Sequence, residues 1–295
     1  MKYNGTIYRP PVEAGVFLVP ITEGCTHNSC TFCSMSKDIP FRMLTLDEIR
    51  EYLDETAARH RKHAASRKRA YLFGGDPFAL SAQHLLERIE LIREYLPNVQ
   101  VFTMYARVDN VWTKSDEDLR ALAAAGVNDL YIGIECADDE YLDYLNKGFT
   151  VAQAEEQCAR LVSAGINHSD LFMFGCGGTG NAERAAAANA SFENQTRPTQ
   201  TLCTTLTSYV GTKLEENIRS GVFIPATEKE ILQEERRLVE LLDVPTYFWA
   251  THPLDAVRTE GELPQERDLV LQDLDEGLRL IEGTDIKRTG RTGTL

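Results

Sequence analysis

The chain alternates short apolar runs of strand length with stretches of helical periodicity, and this alternation limits the available folds more than any other feature. The apolar runs cover residues 15–21, 70–73, 99–105, 129–135, 170–174 and 199–206. Apolar residues at helical spacing lie between the runs, and Gly-, Pro- and Asp-rich links join them. Strands that alternate with helices form parallel sheets from right-handed βαβ units. The sequence therefore predicts an α/β fold, a partial (βα)6 TIM-like barrel.

The pattern changes after about residue 221. The later elements are a long charged helix, a short apolar strand and a further helix, predicted at Thr227–Asp243, Thr246–Ala250 and Gln265–Glu282. We expect residues 1–221 to form the core barrel and residues 222–295 to form a C-terminal α/β extension that covers it. The last residues, 287–295, show no apolar periodicity and are expected to form a mobile tail.

Distinctive residues follow five of the predicted strands directly. They are Cys25, Gly74, Arg107, Glu135 and Cys176. In barrels of this type the chemistry takes place at the carboxyl ends of the strands, where these residues would meet. The strand predictions did not use these residues, so their positions independently indicate a functional site at that end.

Composition excludes several classes of protein. The 45 acidic residues outnumber the 31 Lys and Arg, and the net charge of −14 argues against general binding to nucleic acid. The sequence has no apolar run near the roughly 20 residues of a membrane helix. Its first residues lack the pattern of a secretory signal.

The seven cysteines are an odd number, which suits a metal or redox site in a reducing cytosol better than a disulfide framework. We therefore expect a cytoplasmic protein.

One basic group departs from the acidic trend: Arg59, Arg61, Lys62, Arg67, Lys68 and Arg69. Charge runs usually face water, so a solvated helix end is the simplest interpretation. A docking patch for an acidic redox partner is the alternative.

Three cysteines within nine residues provide the strongest chemical signal. Cys25, Cys30 and Cys33 have the spacing C-x4-C-x2-C. Three thiolates on one loop can hold three irons of a [4Fe–4S] cube and leave the fourth iron without a protein ligand. Structural zinc needs four protein ligands, and His27, between two cysteines, is a cramped candidate for the fourth. The spacing favours the iron–sulfur cluster and leaves zinc, or a chance group of core cysteines, as alternatives.

The motifs at the strand ends, taken in order, resemble the radical S-adenosylmethionine (SAM) superfamily. The resemblance covers about residues 15–220 and rests on the cysteine loop, Gly74-Gly75-Asp76, Arg107, Gly133-Ile134-Glu135 and Gly175-Cys176-Gly177-Gly178. The sequence is most similar to the branch that includes anaerobic coproporphyrinogen oxidases and the Elp3- and methylthiotransferase-like proteins. One departure is the extra residue between Cys25 and Cys30, where most members have C-x3-C; the loop must bulge to accommodate it.

The resemblance implies a role for each matching residue. Cys25, Cys30 and Cys33 would bind the cluster, whose open iron would be chelated by the amino and carboxylate groups of SAM. The residues implied to contact SAM are Phe32 at the adenine, Gly74, Gly75 and Asp76 at the amino group, Arg107 at the carboxylate, Glu135 at the ribose or amino group, and Gly175 and Gly177 beside the adenine. From the residues alone, the glycine turn is common after strands, and Arg107 and Glu135 could form an ordinary ion pair.

The resemblance also implies an activity. SAM would be cleaved reductively to methionine and a 5′-deoxyadenosyl radical, which removes a hydrogen atom from a substrate. The electron would come from a low-potential donor of the flavodoxin or ferredoxin type. Fold and cofactor do not define the substrate. An unidentified small molecule is the first hypothesis; an RNA-modifying enzyme and a non-catalytic iron–sulfur or zinc protein are the alternatives.

The C-terminal extension and the end of the sixth strand contain the candidate substrate-binding residues. Tyr247, Phe248, Trp249, His252 and Arg258 form a polar-aromatic group, and Tyr209 follows the sixth strand. From these we select Tyr209, Trp249, His252 and Arg258 as candidates, with an aromatic core strand and a surface loop as the alternative.

Four cysteines lie outside the loop: Cys136, Cys158, Cys176 and Cys203. Cys158 fits a helical apolar pattern and is predicted to be core. The other three lie on or after neighbouring strands, so a second site is the alternative to small buried side chains.

Overall fold

The computed structural model describes residue 3, residues 5–64 and residues 67–282, with the side chains of residues 57–64 left out. The predicted tail at 287–295 lies outside the described residues, as do the side chains of Arg59, Arg61 and Lys62.

Strands and helices alternate along the chain, as the periodicity predicts. The strands are β1 (Phe17–Pro20), β2 (Thr22–Glu23), β3 (Arg42–Met43), β4 (Arg69–Phe73), β5 (Val101–Thr103), β6 (Tyr105–Ala106), β7 (Leu130–Glu135), β8 (His168–Phe174), β9 (Gln200–Thr205), β10 (Thr246–Ala250) and β11 (Thr259–Leu263). The helices are α1 (Leu46–Ala64), α2 (Ala82–Tyr95), α3 (Val108–Trp112), α4 (Asp116–Ala124), α5 (Asp139–Tyr144), α6 (Val151–Ala164), α7 (Ala182–Thr196), α8 (Lys213–Arg219), α9 (Glu228–Leu241) and α10 (Arg267–Leu280).

Helix starts follow the capping residues in the sequence. The Ser81 hydroxyl accepts the backbone N–H of His84 at the start of α2. Ser115 and Thr227 begin α4 and α9 with capping boxes, in which the hydroxyl and a later acidic side chain each accept a backbone N–H. These local bonds explain why the predicted helix starts agree closely with the observed ones.

The chain divides into two compact units. The first unit contains Met1–Asn28, Met35–Gly133 and Gln157–His168, and the second contains Ser29–Ser34, Ile134–Glu156 and Ser169–Leu295. This division interleaves along the chain and differs from the predicted boundary at residue 221, which stays a prediction.

The first unit contains parallel strand pairs. β1 pairs with β4 and β4 with β5, with Phe17 opposite Ala70 and Arg69 opposite Val101. β6 pairs with β7 through Tyr105 and Tyr131. The sequence predicts a single strand over 99–105, whereas the structure has two short strands that pair with different partners. Val19, Leu72 and Phe102 are fully buried, as continuous apolar strands of parallel sheets require.

The second unit contains β8, β9 and β10 in parallel, with Ser169 opposite Gln200 and Phe248 opposite Thr201. β11 is antiparallel to β10. The strand of the predicted extension therefore continues the sheet beside β9. β11 was not predicted, because Glu260 and Glu262 face solvent and its buried positions include only one large apolar residue, Leu263.

The predicted α/β class is confirmed by these parallel strands and intervening helices. Within the described part of the chain, the helices include none with the length and apolar character to span a membrane.

Candidate functional site

The cysteine loop lies in the connection from β2 to β3. These strands form a short antiparallel pair, and Arg42 Nε lies 2.7 Å from Glu23 Oε2 across it. Asn28 adopts a left-handed φ of +43° between the first two cysteines, and its Nδ2 donates to the Ser36 carbonyl at 2.8 Å. Asparagine is a residue type that tolerates this conformation.

Thiol exposure separates the loop cysteines from the others. Cys25, Cys30 and Cys33 are partly exposed, whereas the other four cysteines are buried. In the first unit, burial raises the pKa of Cys25, and the Asp76 carboxylate raises it further. The backbone N–H groups of Asn28 and His27 act in the opposite direction. A cation at this thiol would reverse the balance, because metal coordination stabilises the thiolate.

Gly74 and Gly75 pack directly against the base of the cysteine loop. A Cβ on Gly74 would lie 1.9 Å from Thr22 Oγ1, and one on Gly75 would lie 2.2 Å from the Gly24 carbonyl oxygen. Neither position accepts a side chain without moving backbone. The glycine pair is therefore required by the fold itself, in addition to any role towards SAM.

Asp76 is buried and accepts a hydrogen bond from the Thr26 hydroxyl. Burial raises the pKa of its carboxyl, while the Thr26 hydroxyl and the Arg107 guanidinium oppose that rise. Lys114, which the sequence analysis did not single out, is also buried; its Nζ donates to the Phe78 carbonyl at 2.7 Å. Burial lowers the pKa of Lys114 to about 8.

Arg107 begins α3 and has its guanidinium engaged by a neighbour. Nε lies 2.8 Å from Asp109 Oδ1, and Nη2 lies 3.2 Å from Oδ2. Its backbone N–H donates to Asn110 Oδ1 at 2.9 Å, which anchors the turn after β6. The sequence alternative paired Arg107 with Glu135; the structure gives Arg107 an ion pair with Asp109.

In the second unit, backbone hydrogen bonds hold the segment of Cys30 and Cys33. The Thr31 N–H donates to the Leu145 carbonyl at 3.0 Å, and the Thr31 carbonyl accepts from Leu214 at 2.8 Å. Phe32 is buried in an apolar cluster, against which Cys30 and Cys33 pack. Other members of the cluster are Cys136, Tyr141, Leu145, Met173, Cys176, Ala185, Leu206, Leu214 and Phe223.

Glu135 ends β7 in a left-handed conformation, with φ +70°. Lys147 Nζ lies 2.9 Å from Glu135 Oε1, and both side chains are largely buried. The same ammonium lies 6.0 Å from the centre of the Phe32 ring and 5.7 Å from that of Phe149. Lys147 thus combines an ion pair with cation–π contacts. No sequence motif marked it.

The glycine loop, residues 175–180, follows β8. A Cβ on Gly177 would lie 2.8 Å from Tyr141 Cζ, so this glycine is required by close packing. Asn181 Nδ2 donates to the Gly177 carbonyl at 2.7 Å, and the Cys176 thiol donates to the Glu135 carbonyl at 3.7 Å. Two regions of the predicted motif set, the end of β7 and the glycine loop, therefore contact one another.

The other buried cysteines have the properties of core thiols. Burial raises the pKa of Cys136, Cys176 and Cys203 well above the ordinary value of a thiol. Cys158 is buried in α6, as its helical pattern predicts.

The candidate substrate residues occupy varied environments. Trp249 and Tyr209 are buried, and the Tyr209 carbonyl accepts from the Thr212 hydroxyl at 2.7 Å. His252 Nδ1 accepts the Leu254 N–H at 3.2 Å within a turn, and Arg258 is exposed. Phe248 is fully buried. These positions agree with a core aromatic strand at β10.

The basic group is only partly a surface feature. Arg69 pairs with Glu13 and with Asp129, in each case at 2.6 Å, inside the first unit. Arg67 donates to the Gly15 carbonyl. The interpretation of this group as a solvated helix end is wrong for Arg69, because Arg69 begins β4 and pairs with the buried Glu13 carboxylate.

A sequence model of the radical SAM superfamily matches residues 19–188, more than half of the chain. The chain belongs to the radical SAM superfamily. The match begins in β1 and ends within α7, so β9 to α10 lie outside it.

A curated protein similar to this chain is the heme chaperone HemW of Lactococcus lactis subsp. lactis (strain IL1403). It is 26% identical over 145 residues, which are 49% of this chain and 37% of that protein. The matched region thus spans little more than a third of the relative's length.

Solved structures confirm the predicted partial TIM-barrel type of α/β fold. HydG, a maturase of the [FeFe]-hydrogenase, matches with a TM-score of 0.57 and 13% identity over 93% of this chain and 56% of that one. Methylornithine synthase matches with a TM-score of 0.54 and 17% identity, over 93% of this chain and 83% of that one. The Elp3 of the archaeon Methanocaldococcus infernus matches with a TM-score of 0.57 and 14% identity, over 89% of this chain and 63% of that one. At these identities the solved structures show a shared fold.

The residues present fit the cofactors that this superfamily implies. The three loop cysteines are the partly exposed thiols of the chain and provide sulfur donors, which iron–sulfur clusters require. Considered separately, the Arg107 guanidinium is of the chemical kind that pairs with a carboxylate, and the Glu135 carboxylate is of the kind that accepts from amino or hydroxyl groups.

Proposed function

We propose that this chain is a radical SAM enzyme that acts on an unidentified small molecule. The proposal rests on the cysteine loop, which has three partly exposed thiols and is closed by the β2–β3 pair, in a chain that belongs to the radical SAM superfamily. Cys25, Cys30 and Cys33 would hold a [4Fe–4S] cluster. With SAM bound, the cluster would supply a one-electron reductive cleavage of SAM to methionine and a 5′-deoxyadenosyl radical.

The chain's own residues bind and orient SAM. Arg107 binds the carboxylate of SAM, and Glu135, held by Lys147, accepts from the ribose or amino group. Phe32 lies against the adenine. The remaining contacts come from Gly74, Gly75 and Asp76 at the amino group and from Gly175 and Gly177 beside the adenine.

A low-potential donor of the flavodoxin or ferredoxin type supplies the electron. The substrate is a small molecule rather than RNA, since the net charge of −14 disfavours phosphate-rich partners. Tyr209, Trp249, His252 and Arg258 are the proposed substrate residues. Of these, His252 and Arg258 have side chains accessible to a ligand.

Anaerobic reconstitution with iron and sulfide, followed by dithionite and SAM, tests this function. We expect about four irons per chain and formation of 5′-deoxyadenosine. Cys30→Ala should lose the cluster and the cleavage. Cys158→Ala, which removes a buried thiol from α6, is the matched control and should retain both.

Other results would contradict the proposal. Tight zinc binding without a cluster would overturn it at its foundation. A cluster that neither binds SAM nor cleaves it, over a panel of strong reductants, would favour a non-catalytic iron–sulfur protein. Cleavage that survives in Cys30→Ala would remove this loop from the mechanism.

A further inference from the structure

The glycine loop is held by a C-terminal segment outside the region that the superfamily model matches. This segment, residues 224–234, comprises the approach to α9 and its first turns. The Thr179 N–H donates to the Ile224 carbonyl at 2.9 Å, and the Thr179 hydroxyl donates to the Pro225 carbonyl at 2.7 Å. Thr179, inside the glycine loop, is therefore hydrogen-bonded to the C-terminal segment.

Two carboxylates of α9 hold the ends of the loop. Glu234 Oε2 accepts the Gly175 N–H at 2.9 Å, and Glu230 Oε1 accepts the Gly180 N–H at 2.7 Å. The two acids are one helical turn apart on the same face. Glu230 is itself oriented, because its Oε2 accepts the Thr227 N–H at 2.7 Å in the capping box of α9.

Close packing against the C-terminal segment also restricts the glycine loop. A Cβ on Gly178 would lie 2.6 Å from the Ile224 carbonyl oxygen, and Gly178 has φ +71°. Gly175 has φ +86° and packs against Ile231. With Gly180, at φ +83°, the loop has three left-handed glycines, which give it access to many conformations, so an external restraint is needed to select one.

Among the residues that the structure describes, Glu234 has no cationic partner. It is 2% exposed, and its Oε1 has no hydrogen-bond partner among the residues that the structure describes. A buried carboxyl without a cation is costly, and such groups persist mainly where a specific contact requires them. The contact here is the first amide of the glycine loop.

We infer that Glu234 and Glu230 are positioning residues that fix the glycine loop in the shape that binds SAM. The inference rests on the proposed function, since it takes this loop to line the SAM site. Neither residue touches SAM; each acts through a loop amide. The C-terminal segment thereby contributes to cofactor affinity as well as to the surroundings of the substrate.

Hydrogen exchange and SAM binding, both measured on the reconstituted protein, test the inference. Glu234→Ala should speed exchange of the 175–180 amides and raise the Kd for SAM, each about tenfold, because one hydrogen bond to a buried acceptor is lost. Glu234→Gln keeps a carbonyl oxygen for the Gly175 N–H and should restore most of both. Glu230→Ala should mainly affect the Gly180 end.

Glu235→Ala is the matched control. Glu235 is the next residue of α9 and is equally buried, and its electrostatic neighbours are Asp255 and Glu234. Equal effects of Glu234→Ala and Glu235→Ala on loop exchange and SAM affinity would overturn the inference, since both would then report general loss of packing. Unchanged loop exchange in Glu234→Ala would overturn it too. If the wild-type protein binds a cluster but no SAM, the proposed function fails first, and this inference falls with it.

Discussion

Lys147 Nζ forms a 2.9 Å ion pair with Glu135 Oε1, although the two residues lie 12 positions apart, one in β7 and the other in the loop after α5. Glu135 ends β7 with a left-handed backbone, and Lys147 follows α5. A residue proposed to contact SAM therefore has its orientation set by a lysine that also faces the ring of Phe32. Orientation of a binding carboxylate by a buried cation reduces the reorganisation needed when a ligand arrives.

Loss of Lys147 should destabilise the protein strongly. Lys147→Met leaves the Glu135 carboxylate without this cation in a largely buried position, and removal of one partner of a buried pair costs roughly 3 kcal/mol. Urea denaturation measures the free energy of unfolding. Lys213→Met is the control, since its ion pair with Glu216 is exposed and should be worth less than about 1 kcal/mol. Equal losses in the two variants would show that the buried pair has no special weight.

Arg107→Ala should weaken SAM binding by about 10- to 100-fold, because charge-assisted hydrogen bonds to a carboxylate are lost. The iron content should stay near normal, since Arg107 is not a cluster ligand. Asp109→Ala releases the guanidinium from its 2.8 Å partner and should leave the affinity unchanged or increase it. Calorimetric titration of the reconstituted protein with SAM gives both values.

Arg160→Ala provides the comparison for Arg107. Its guanidinium pairs with Asp116 at 2.7 Å and also donates to the Lys114 carbonyl. We expect this variant to bind SAM as the wild type does. Unchanged affinity in Arg107→Ala would remove Arg107 from the site.

Glu234 should make stability depend on pH. Burial raises the pKa of its carboxyl from 4.5 to about 8, against the opposing effect of the Gly175 N–H. The native state keeps this proton where the unfolded state has lost it, so stability falls as pH rises from about 4.5 to about 8. Titratable groups that interact with Glu234 include Cys136, Cys176, Cys203 and Glu235.

Glu234→Gln should remove that contribution, which amounts to about 1.4 kcal/mol per pH unit within this window. The measurement is the free energy of unfolding in urea at several pH values between 5 and 8, where the variant should show a shallower decline. Glu240→Gln is the control on the same helix; Arg side chains lower the pKa of Glu240 although burial opposes them, so its contribution changes below this window. A variant slope equal to that of the wild type would contradict the assignment.

Glu13 should be a major stabilising residue of the first unit. Its buried Oε1 accepts from Tyr131 at 2.5 Å, from Arg69 at 2.6 Å and from Thr103 at 3.1 Å. Glu13→Ala removes a shared acceptor for three groups and should cost roughly 3 kcal/mol or more. Glu117→Ala, which breaks an exposed pair with Arg120, should cost well under 1 kcal/mol in the same urea titration. A loss at Glu13 no larger than at Glu117 would contradict the network.

Local pattern explains which elements could be predicted. The helices α2, α4 and α9 begin where Ser81, Ser115 and Thr227 provide caps, so their starts are visible in the sequence. β11 was not predicted, because it forms a strand by pairing with β10 and its own sequence does not alternate between large apolar and polar residues. The two short strands within 99–105 likewise depend on their neighbours.

The candidate site also contains residues that the sequence marks and partners that it does not mark. The cysteine spacing, the glycines after strands and the residues Arg107 and Glu135 are readable from the chain, because local spacing and strand ends mark them. Their partners are not readable in this manner. Asp109 engages Arg107 and Lys147 engages Glu135 through side-chain contacts that no motif records.

The sequence by itself determined the order of strands and helices, the α/β class, the cysteine loop and the superfamily, since these depend on periodicity and on residues near one another in the chain. Only the tertiary structure decided that Arg69 turns inward to Glu13, that β10 continues the sheet beside β9, and that Glu234 holds Gly175. These contacts join residues distant in sequence, and their partners are selected by where packed elements place a buried charge or an unpaired backbone edge.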